Sequence, residues 1–479
     1  MNRAYELKHH SNKGKQGKIR ETVRAYRKTA ERIAAEQWRL LFTQGRFWRN
    51  LDLKHIASAL SERFKQSCQY QVVGTLDSFL ANRQKDFVEI VRRSRLDETT
   101  QHQLLAVNAL KAWYKTGPWS LLQNQLEIDP DALTLARRIW RHVMAKHGKP
   151  SFRRINMALD SKVALISEKG AGKATKFDYW IRLSTTDQGK PVYIPLSTNT
   201  YFDGIAGKRR NFCQINASKN NAVTVCFIKD VPRDDSYIAQ TPKISLDRGL
   251  STLVATDQGD LFGRGFYAVL KKYDLLISEL AANRQRQGLK ARSPKYDALV
   301  NNLREFIKNE ITRVLNRVVH LYQPAELIIE KLDFRNPALS SRMNRLISWF
   351  GKSALTRKLE SLQEHYGIKR TATNPAYTSQ ECSVCGYIEK GNRVGQAVFQ
   401  CKCCNTGIHA DVNAARNHRS RSADKVIDVY KSTEAVLRIL TGRFLSHAER
   451  VPRLYRKAQG SLSGNPYFRG PLAQSKGFL

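Results

Sequence analysis

A chain of 479 residues is too long for one compact core, so roughly two to four domains are expected. Lysine and arginine number 81 against 42 acidic residues, a net charge of +39, while 41% apolar content supports folded domains. No apolar run approaches a membrane span, and the charge points to a polyanion, with nucleic acid bound largely through counterion release; a ribosomal-type or membrane-surface basic protein is the bland alternative.

The N-terminus, MNRAYELKHHSNKGKQGK, is basic but no apolar core follows it, which argues against a secretory signal. Eight cysteines, mostly clustered in metal-ligand spacing, fit a reducing cytoplasm. In chain order, residues 3–9 read as a short strand and Asn12 to Gly17 as a polar loop. From Ile19 to Phe42 the apolar residues Val23, Tyr26, Ile33, Trp38 and Leu41 recur near a 3.6 spacing, a helix pattern. Helical segments continue to Lys149, with breaks expected near Leu51, Gly74, Gly117-Pro118 and Asp129-Pro130. Arg92, Arg93, Arg137 and Arg138 are candidate phosphate contacts, weighed against ordinary solvated helix faces. Trp113, Tyr114 and Trp119 read as core in preference to base-stacking platforms.

After Pro150 the character becomes β-rich: Val163–Ile166, Phe177–Leu183, Val192–Leu196 and Val223–Phe227, separated by turns. A small barrel or sandwich over residues 151–240 is expected, with the first strand pairing into it and the helical region inserted between. Lys208, Arg209 and Arg210 form a basic loop and a further candidate phosphate contact. An apolar strand then ends at Asp247, Gly249 turns the chain, and a second strand leaves. Residues 264–322 read as a helical hairpin broken near Gly288 and Pro294. A strand, Leu327-Ile328-Ile329, ends in Glu330. Arg342 to Tyr366 reads as helical, with Trp349, Phe350, Leu355, Leu359 and Leu362 on its apolar face, and a strand follows over Ile368–Thr373.

Two Cys-x-x-Cys pairs come next, Cys382/Cys385 and Cys401/Cys404. A two-residue gap lets one tight turn present two thiolates to one ion, and two such turns at this separation match a zinc ribbon. Disulfides or free buried thiols are the alternatives. Cys403 reads as a bystander, and four thiolates imply a closed structural site. Ile408 to Ala415 begins a helix with Asp411 in its first turn. Alone, that acid also reads as a favourable first-turn charge. Taken with Asp247 and Glu330, it makes a third acid at an element end. Clustered carboxylates are what two-metal phosphodiester hydrolysis with Mg²⁺ or Mn²⁺ needs. Asp257, Asp333 and Glu326 read as turn or surface residues.

Leu246-Asp247-Arg248-Gly249, Ile328 to Leu332, Thr378 to Gly386 and Phe399 to Asn417 together resemble the TnpB family of transposon-encoded RNA-guided endonucleases and the compact type V CRISPR effectors. The resemblance covers about residues 241–420; the first half matches in layout alone. It implies a multidomain α+β protein in which a helical recognition lobe is inserted in a β-barrel wedge domain. A split RNase-H-like RuvC domain with a zinc-ribbon insert follows. The corresponding boundaries are 1–17 (first wedge strand), 18–150 (recognition), 151–240 (wedge), 241–373 (first two RuvC parts), 374–407 (zinc-ribbon insert), 408–446 (third RuvC part and C-terminal helix, with 422–446 helical) and 447–479 (basic flexible tail). It further implies Asp247, Glu330 and Asp411 as catalytic Mg²⁺ or Mn²⁺ ligands, zinc on Cys382, Cys385, Cys401 and Cys404, a guide RNA and a double-stranded DNA target. The alternatives are a guided DNA-binding protein or repressor without useful cleavage and a guide-independent transposition accessory factor. Hydropathy argues against a membrane, the cysteine usage fits a cytoplasmic location, and a monomer is favoured among open oligomeric states. Three features depart from the transposon pattern: Arg248 in place of an aliphatic residue, Asn405 in place of a glycine after the fourth cysteine, and a longer helical insertion.

Overall fold

The computed structural model describes residues 1–114, 120–121, 126–168, 176–218, 222–249, 251–330, 339–450, 462 and 464–468, apart from the side chains of 120–121, 126–127, 349 and 449. Trp119, the Gly117-Pro118 break, Lys331, Leu332, Asp333 and the Trp349 side chain therefore lie outside the described residues. The chain divides into two compact units, Met1–Pro232 and Arg233–Leu479.

The first unit opens with strand β1 (Asn2–His9). Helix α1 (Lys13–Gln44) follows at once, because the Asn12 side chain accepts from Lys15 N and caps it. The segment expected to be a loop is thus its first turn. Helices α2 (Glu62–Arg93), α3 (Glu98–Ala109) and α4 (Pro130–Ala145) complete the helical layer. A short antiparallel pair, β2 (Ser120–Leu121) and β3 (Leu126–Glu127), precedes α4. Trp113 and Trp140 stack in its core, and Trp140 donates to Tyr114 Oη. No break occurs at Gly74, which sits inside α2. Val72, Val73, Leu76 and Leu80 line a continuous buried face there, and that packing outweighs one glycine.

Strands β4 (Met157–Asp160), β5 (Ala164–Glu168), β6 (Tyr179–Leu183), β7 (Val192–Ser197), β8 (Lys208–Ala217) and β9 (Val223–Asp230), with the short helix α5 (Thr200–Gly204), build a seven-stranded sheet ordered β4-β8-β9-β1-β7-β6-β5. The sheet is nearly closed. β1 joins its halves, pairing with β9 over Asn2–Leu7 and with β7 at Lys8 and His9. The helical layer is therefore an insertion between the first two strands of one sheet.

In the second unit, β10 (Thr241–Asp247), β11 (Val254–Thr256) and β12 (Leu261–Phe262) form an antiparallel meander. The helical hairpin α6 (Phe266–Arg286) and α7 (Pro294–Tyr322) returns the chain to β13 (Pro324–Glu330), parallel to β10. Helices α8 (Ser341–Leu346) and α9 (Lys352–Tyr366) cross over to β14 (Lys369–Thr373), parallel to β13. Leu355, Leu359 and Leu362 are buried, as the periodicity predicts. A cysteine-bearing segment with the small pair β15 (Val398–Gln400) and β16 (Gly407–His409) leads into α10 (Ala410–Arg421) and α11 (Thr433–Arg450). Residues 422–432 are turns, so the expected continuous helix over 422–446 starts later. No described helix is long and apolar enough to cross a membrane.

The tail expected to be flexible is anchored at one place. Asn465 donates to Tyr387 Oη and Ile388 O, and Phe468 stacks on Tyr387. Burying an aromatic and satisfying a buried amide hold these residues against the cysteine-bearing segment. Residues 451–461 and 469–479 lie outside the described residues.

A Cβ at Gly74 would meet no atom within 4 Å. Gly74→Ala should therefore stabilise α2 by about 1 kcal/mol and raise the unfolding midpoint by a few degrees in a thermal melt. A lowered midpoint would show that the helix needs glycine there.

Candidate functional site

The site is built at the carboxyl ends of two adjacent parallel strands. Leu246 of β10 pairs with Ile329 of β13, so the next residues, Asp247 and Glu330, emerge side by side. Glu330 in turn pairs with Thr373 at the end of β14. The third expected acid, Asp411, comes from the first turn of α10, where His409 is the cap. A Cβ on Gly249 would stand 3.9 Å from Asp411 Oδ2 and 3.1 Å from Thr252 O, so the turn after Asp247 has its smallest residue where the third carboxylate approaches.

One residue here has no counterpart in the sequence reading. His418 lies seven residues after Asp411, two helical turns along the same face of α10, and is fully buried. Its Nε2 is 3.6 Å from Asp247 Oδ1 and 3.9 Å from Glu330 Oε2, and its Nδ1 is 2.8 Å from Thr373 Oγ1. Among the described residues, Asp247, Glu330 and His418 form one of two groups able to hold a metal ion. The period of the helix was the available signal, but it needed the strand register as well.

The electrostatics follow from burial. Desolvation, then repulsion from Asp411, pushes Asp247 up to about 7. Desolvation raises Glu330 to about 6, with Arg248 pulling the other way. Burial also raises Asp411, against the attraction of Arg393. Arg248 lies 3.4 Å from Glu330 Oε1 and is lowered to about 10 by its own burial. Both partners move toward neutrality, so desolvation outweighs the attraction of the pair. Arg393 donates to Asp411 Oδ1 at 3.2 Å. Clustered, buried carboxylates held in unfavourable ionisation fit divalent cations, whose charge would invert this balance.

The second metal-capable group is Cys382, Cys385, Cys401 and Cys404. Cys382 Sγ and Cys404 Sγ are 3.6 Å apart, as are Cys385 Sγ and Cys401 Sγ. A disulfide would be about 2.05 Å, whereas thiolates at about 2.3 Å from one tetrahedral Zn²⁺ stand about 3.8 Å apart. The residues fit zinc. Cys403 is buried but outside the group. Gly386 and Asn405, each following the second cysteine of its pair, have φ of 76° and 66°. Asparagine tolerates this left-handed conformation, which explains how Asn405 serves where a glycine is expected.

α10 joins the two groups. Asn413, Asn417 and Arg421 share another face at i, i+4 and i+8. Asn413 donates to Glu381 O and accepts from Ser383 N; Asn417 donates to Thr378 O and Glu381 O; Arg421 donates to Asn374 O and Glu381 Oε2. These bonds hold the backbone on both sides of Cys382.

Two acids read as turn or surface residues are buried. Asp257 accepts from Ser245 N at 2.8 Å and from Arg419 at 2.5 Å. Glu326 lies within β13, ion-paired with Lys243 and Lys369 and bonded by Thr371. Their partners are distant in sequence, so local pattern could not reveal them.

The basic candidates all belong to the first unit. Arg92 and Arg138 are exposed; Arg93 pairs with Glu89, and Arg137 donates to Trp113 O. Lys208, Arg209 and Arg210 lie in strand β8, not in a loop. The strand continues through them because Lys208 and Arg209 pair in register with Asp230 and Lys229 of β9. Arg209 is bound to Glu168 and lies over Tyr179 and Phe227, and Arg210 pairs with Asp230.

Residues 353–418 match the family model described as Cas12f1-like, TNB domain. The CRISPR-associated endodeoxyribonuclease Cas12f1 of Sulfoacidibacillus thermotolerans is 48% identical over 73 residues, 15% of this chain and 17% of that protein. InsQ of Escherichia coli (strain K12), whose name describes an RNA-guided DNA endonuclease, is 29% identical over 197 residues, 36% of this chain and 47% of its own length. The TnpB-like protein aq_aa05 of Aquifex aeolicus (strain VF5) is 29% identical over 161 residues, 30% of this chain and 51% of its own. The chain thus spans between 17% and 51% of the length of these relatives. A solved Cas12f1 chain from a complex with sgRNA and target DNA aligns over 87% of this chain and 98% of its own, at 14% identity and a TM-score of 0.41. The sequence matches bear out the resemblance to TnpB-like proteins and compact type V effectors.

Two outcomes follow. One zinc per chain should copurify; Cys401→Ser should lose it and Cys403→Ser keep it, by elemental analysis, and the reverse would exchange the two as ligands. Asp247 takes up a proton on folding: its folded value lies above the unfolded one, so its contribution favours the fold below about pH 4 and is lost as pH rises through about 7. Without added divalent cation, Asp247→Asn should therefore stabilise the protein at pH 8, by on the order of 2–4 kcal/mol, and change little at pH 4. Equal effects at both pH values in thermal melts would contradict the burial argument.

Proposed function

We propose that this chain is an RNA-guided DNA endonuclease whose RuvC-like site hydrolyses phosphodiester bonds. The observation that carries the reading is the convergence of Asp247 and Glu330, from the ends of parallel strands, with Asp411, from the first turn of α10. The names of its relatives support the same chemistry.

Asp247, Glu330 and Asp411 would hold Mg²⁺ or Mn²⁺, which when bound supplies water activation and neutralises charge developing on the phosphate. The protein's own part is positioning. Strand register fixes Asp247 against Glu330, Arg248 orients Glu330, and Arg393 orients Asp411. The acid side chains are only 13%, 17% and 12% exposed for Asp247, Glu330 and Asp411, which limits screening by bulk water. Zinc on Cys382, Cys385, Cys401 and Cys404 would fix the segment from which Arg393 reaches Asp411, a structural role.

The remaining assignments are part of the same proposal. Residues 1–17 and 151–240 form a wedge, 18–150 a recognition lobe, 241–373 and 408–446 the nuclease, and 374–407 a zinc-bearing insert for target nucleic acid. A guide RNA covers much of the +39 charge, with Arg92, Arg138 and Lys208 among the exposed cations available to it. The protein reads a short motif flanking a double-stranded target, and guide pairing reads the rest.

Asp247→Ala, Glu330→Ala and Asp411→Ala should each slow Mg²⁺-dependent DNA cleavage by roughly a thousandfold or more, the scale of several kcal/mol of lost charge stabilisation. Guided binding should stay within a few-fold of the unsubstituted protein in a filter or gel-shift assay, because little of the basic surface changes. Near-normal cleavage by any one variant would remove that residue from the site.

A further inference from the structure

We propose that His418 is a nitrogen ligand of the divalent-cation site, and that this makes the site prefer Mn²⁺ to Mg²⁺. The inference rests on the metal site proposed above and adds a ligand to its three acids.

Four observations lead to it. First, the ring is fully buried, and Nε2, which points at two carboxylates, makes no hydrogen bond. Second, the other ring nitrogen is tied down. Thr373 Oγ1 lies 2.8 Å from Nδ1 and 3.4 Å from Ile329 O and has one proton to give; when that proton goes to Ile329 O, Nδ1 donates to Thr373 and Nε2 is left with its lone pair. In that tautomer, the one a cation at Nε2 requires, the lone pair faces Asp247 and Glu330. A lone pair opposed to carboxylate oxygens is repulsive on its own and becomes attractive around a cation. Third, a metal-bound imidazole with its second nitrogen donating to a fixed oxygen is the arrangement that sets tautomer and ring orientation in histidine-metal sites. Fourth, adjacent donors sharing one ion at about 2.1 Å stand about 3 Å apart, and opposite donors about 4.2 Å; the 3.6 and 3.9 Å separations fall between these.

Replacing an all-oxygen set by one with an imidazole moves selectivity. Mg²⁺ favours oxygen donors, whereas the later divalent ions accept imidazole more readily. Thr373 is then a positioning residue: it orients the ring without reaching the ion.

The probe is Mn²⁺ alone, added to the zinc-loaded full-length protein, with pulsed electron paramagnetic resonance as readout. The unsubstituted protein should show nitrogen modulation from a coordinated imidazole. His418→Gln should abolish it and lower the ratio of Mn²⁺ to Mg²⁺ affinity by about tenfold or more. His409→Asn, at the nearby helix cap, should keep the modulation. Thr373→Val retains the imidazole but removes its Nδ1 partner, and should weaken Mn²⁺ more than Mg²⁺; it serves if His418→Gln loses zinc or fails to fold. Mn²⁺ bound without nitrogen modulation, or modulation that survives His418→Gln, would overturn the role of His418 while leaving the acids in place. Failure of Mn²⁺ to bind, or binding unchanged by Asp247→Asn, would overturn the metal site itself and this proposal with it.

Discussion

Burying several carboxylates in one place is costly, and the second unit of this protein is arranged around that cost. Asp247, Glu330 and Asp411 cannot all ionise without something positive among them. Arg248 and Arg393 supply part of the offset, one from the turn after β10 and one from the cysteine-bearing segment. Neither is enough: Asp247 and Glu330 both stay raised toward neutrality. The fold maintains this because the acids sit on rigid supports, the ends of two hydrogen-bonded parallel strands and the first turn of a packed helix. A site with residual negative charge and no freedom to relax is preorganised for cations.

Helix α10 is the element on which these supports converge. One face carries Asp411 and His418 to the strand ends. A second carries Asn413, Asn417 and Arg421 to the backbone around Cys382. Arg416 and Arg419 reach Asp257, which itself bonds to Ser245 in β10. The helix is only twelve residues long, yet many of its side chains, polar ones included, are buried. In solution such a helix would be marginal; here long-range hydrogen bonds hold it. Distortion at the cysteine cluster would accordingly be felt at Asp411 through Arg393 and through the clamp on α10.

Much of this was legible in the sequence because its signals are local. Apolar strands that stop at Asp247 and Glu330, and the two-residue cysteine spacing, are read directly from neighbouring positions. The pairing of the first strand with the later β-rich region was also expected, from the order of the elements and not from neighbouring positions, since its partners in β7 and β9 are distant in sequence. The structure departs from that reading where a residue's partner is far away. Asp257 and Glu326 look like surface acids until Arg419, Lys243 and Lys369 are brought to them. Lys208, Arg209 and Arg210 look like a loop until β9 pairs with them. His418 needed two registers at once, that of α10 and that of β13 against β14. Gly74 misled in the other direction, because a local breaker was outweighed by the buried face of a 32-residue helix.

The central claim is that nucleic-acid guidance and the buried acids act as one machine, and the most direct test is to reprogram it. The RNA that copurifies with the protein would be sequenced, its variable segment replaced by two unrelated sequences, and each complex given Mg²⁺ and DNA carrying both matching targets beside a randomised flanking segment. The account predicts that each complex cuts only its own target, that a common short flanking motif emerges among the cut molecules, and that protein stripped of RNA cuts neither. Cleavage at the same positions whichever RNA is bound, or undiminished without RNA, would contradict it.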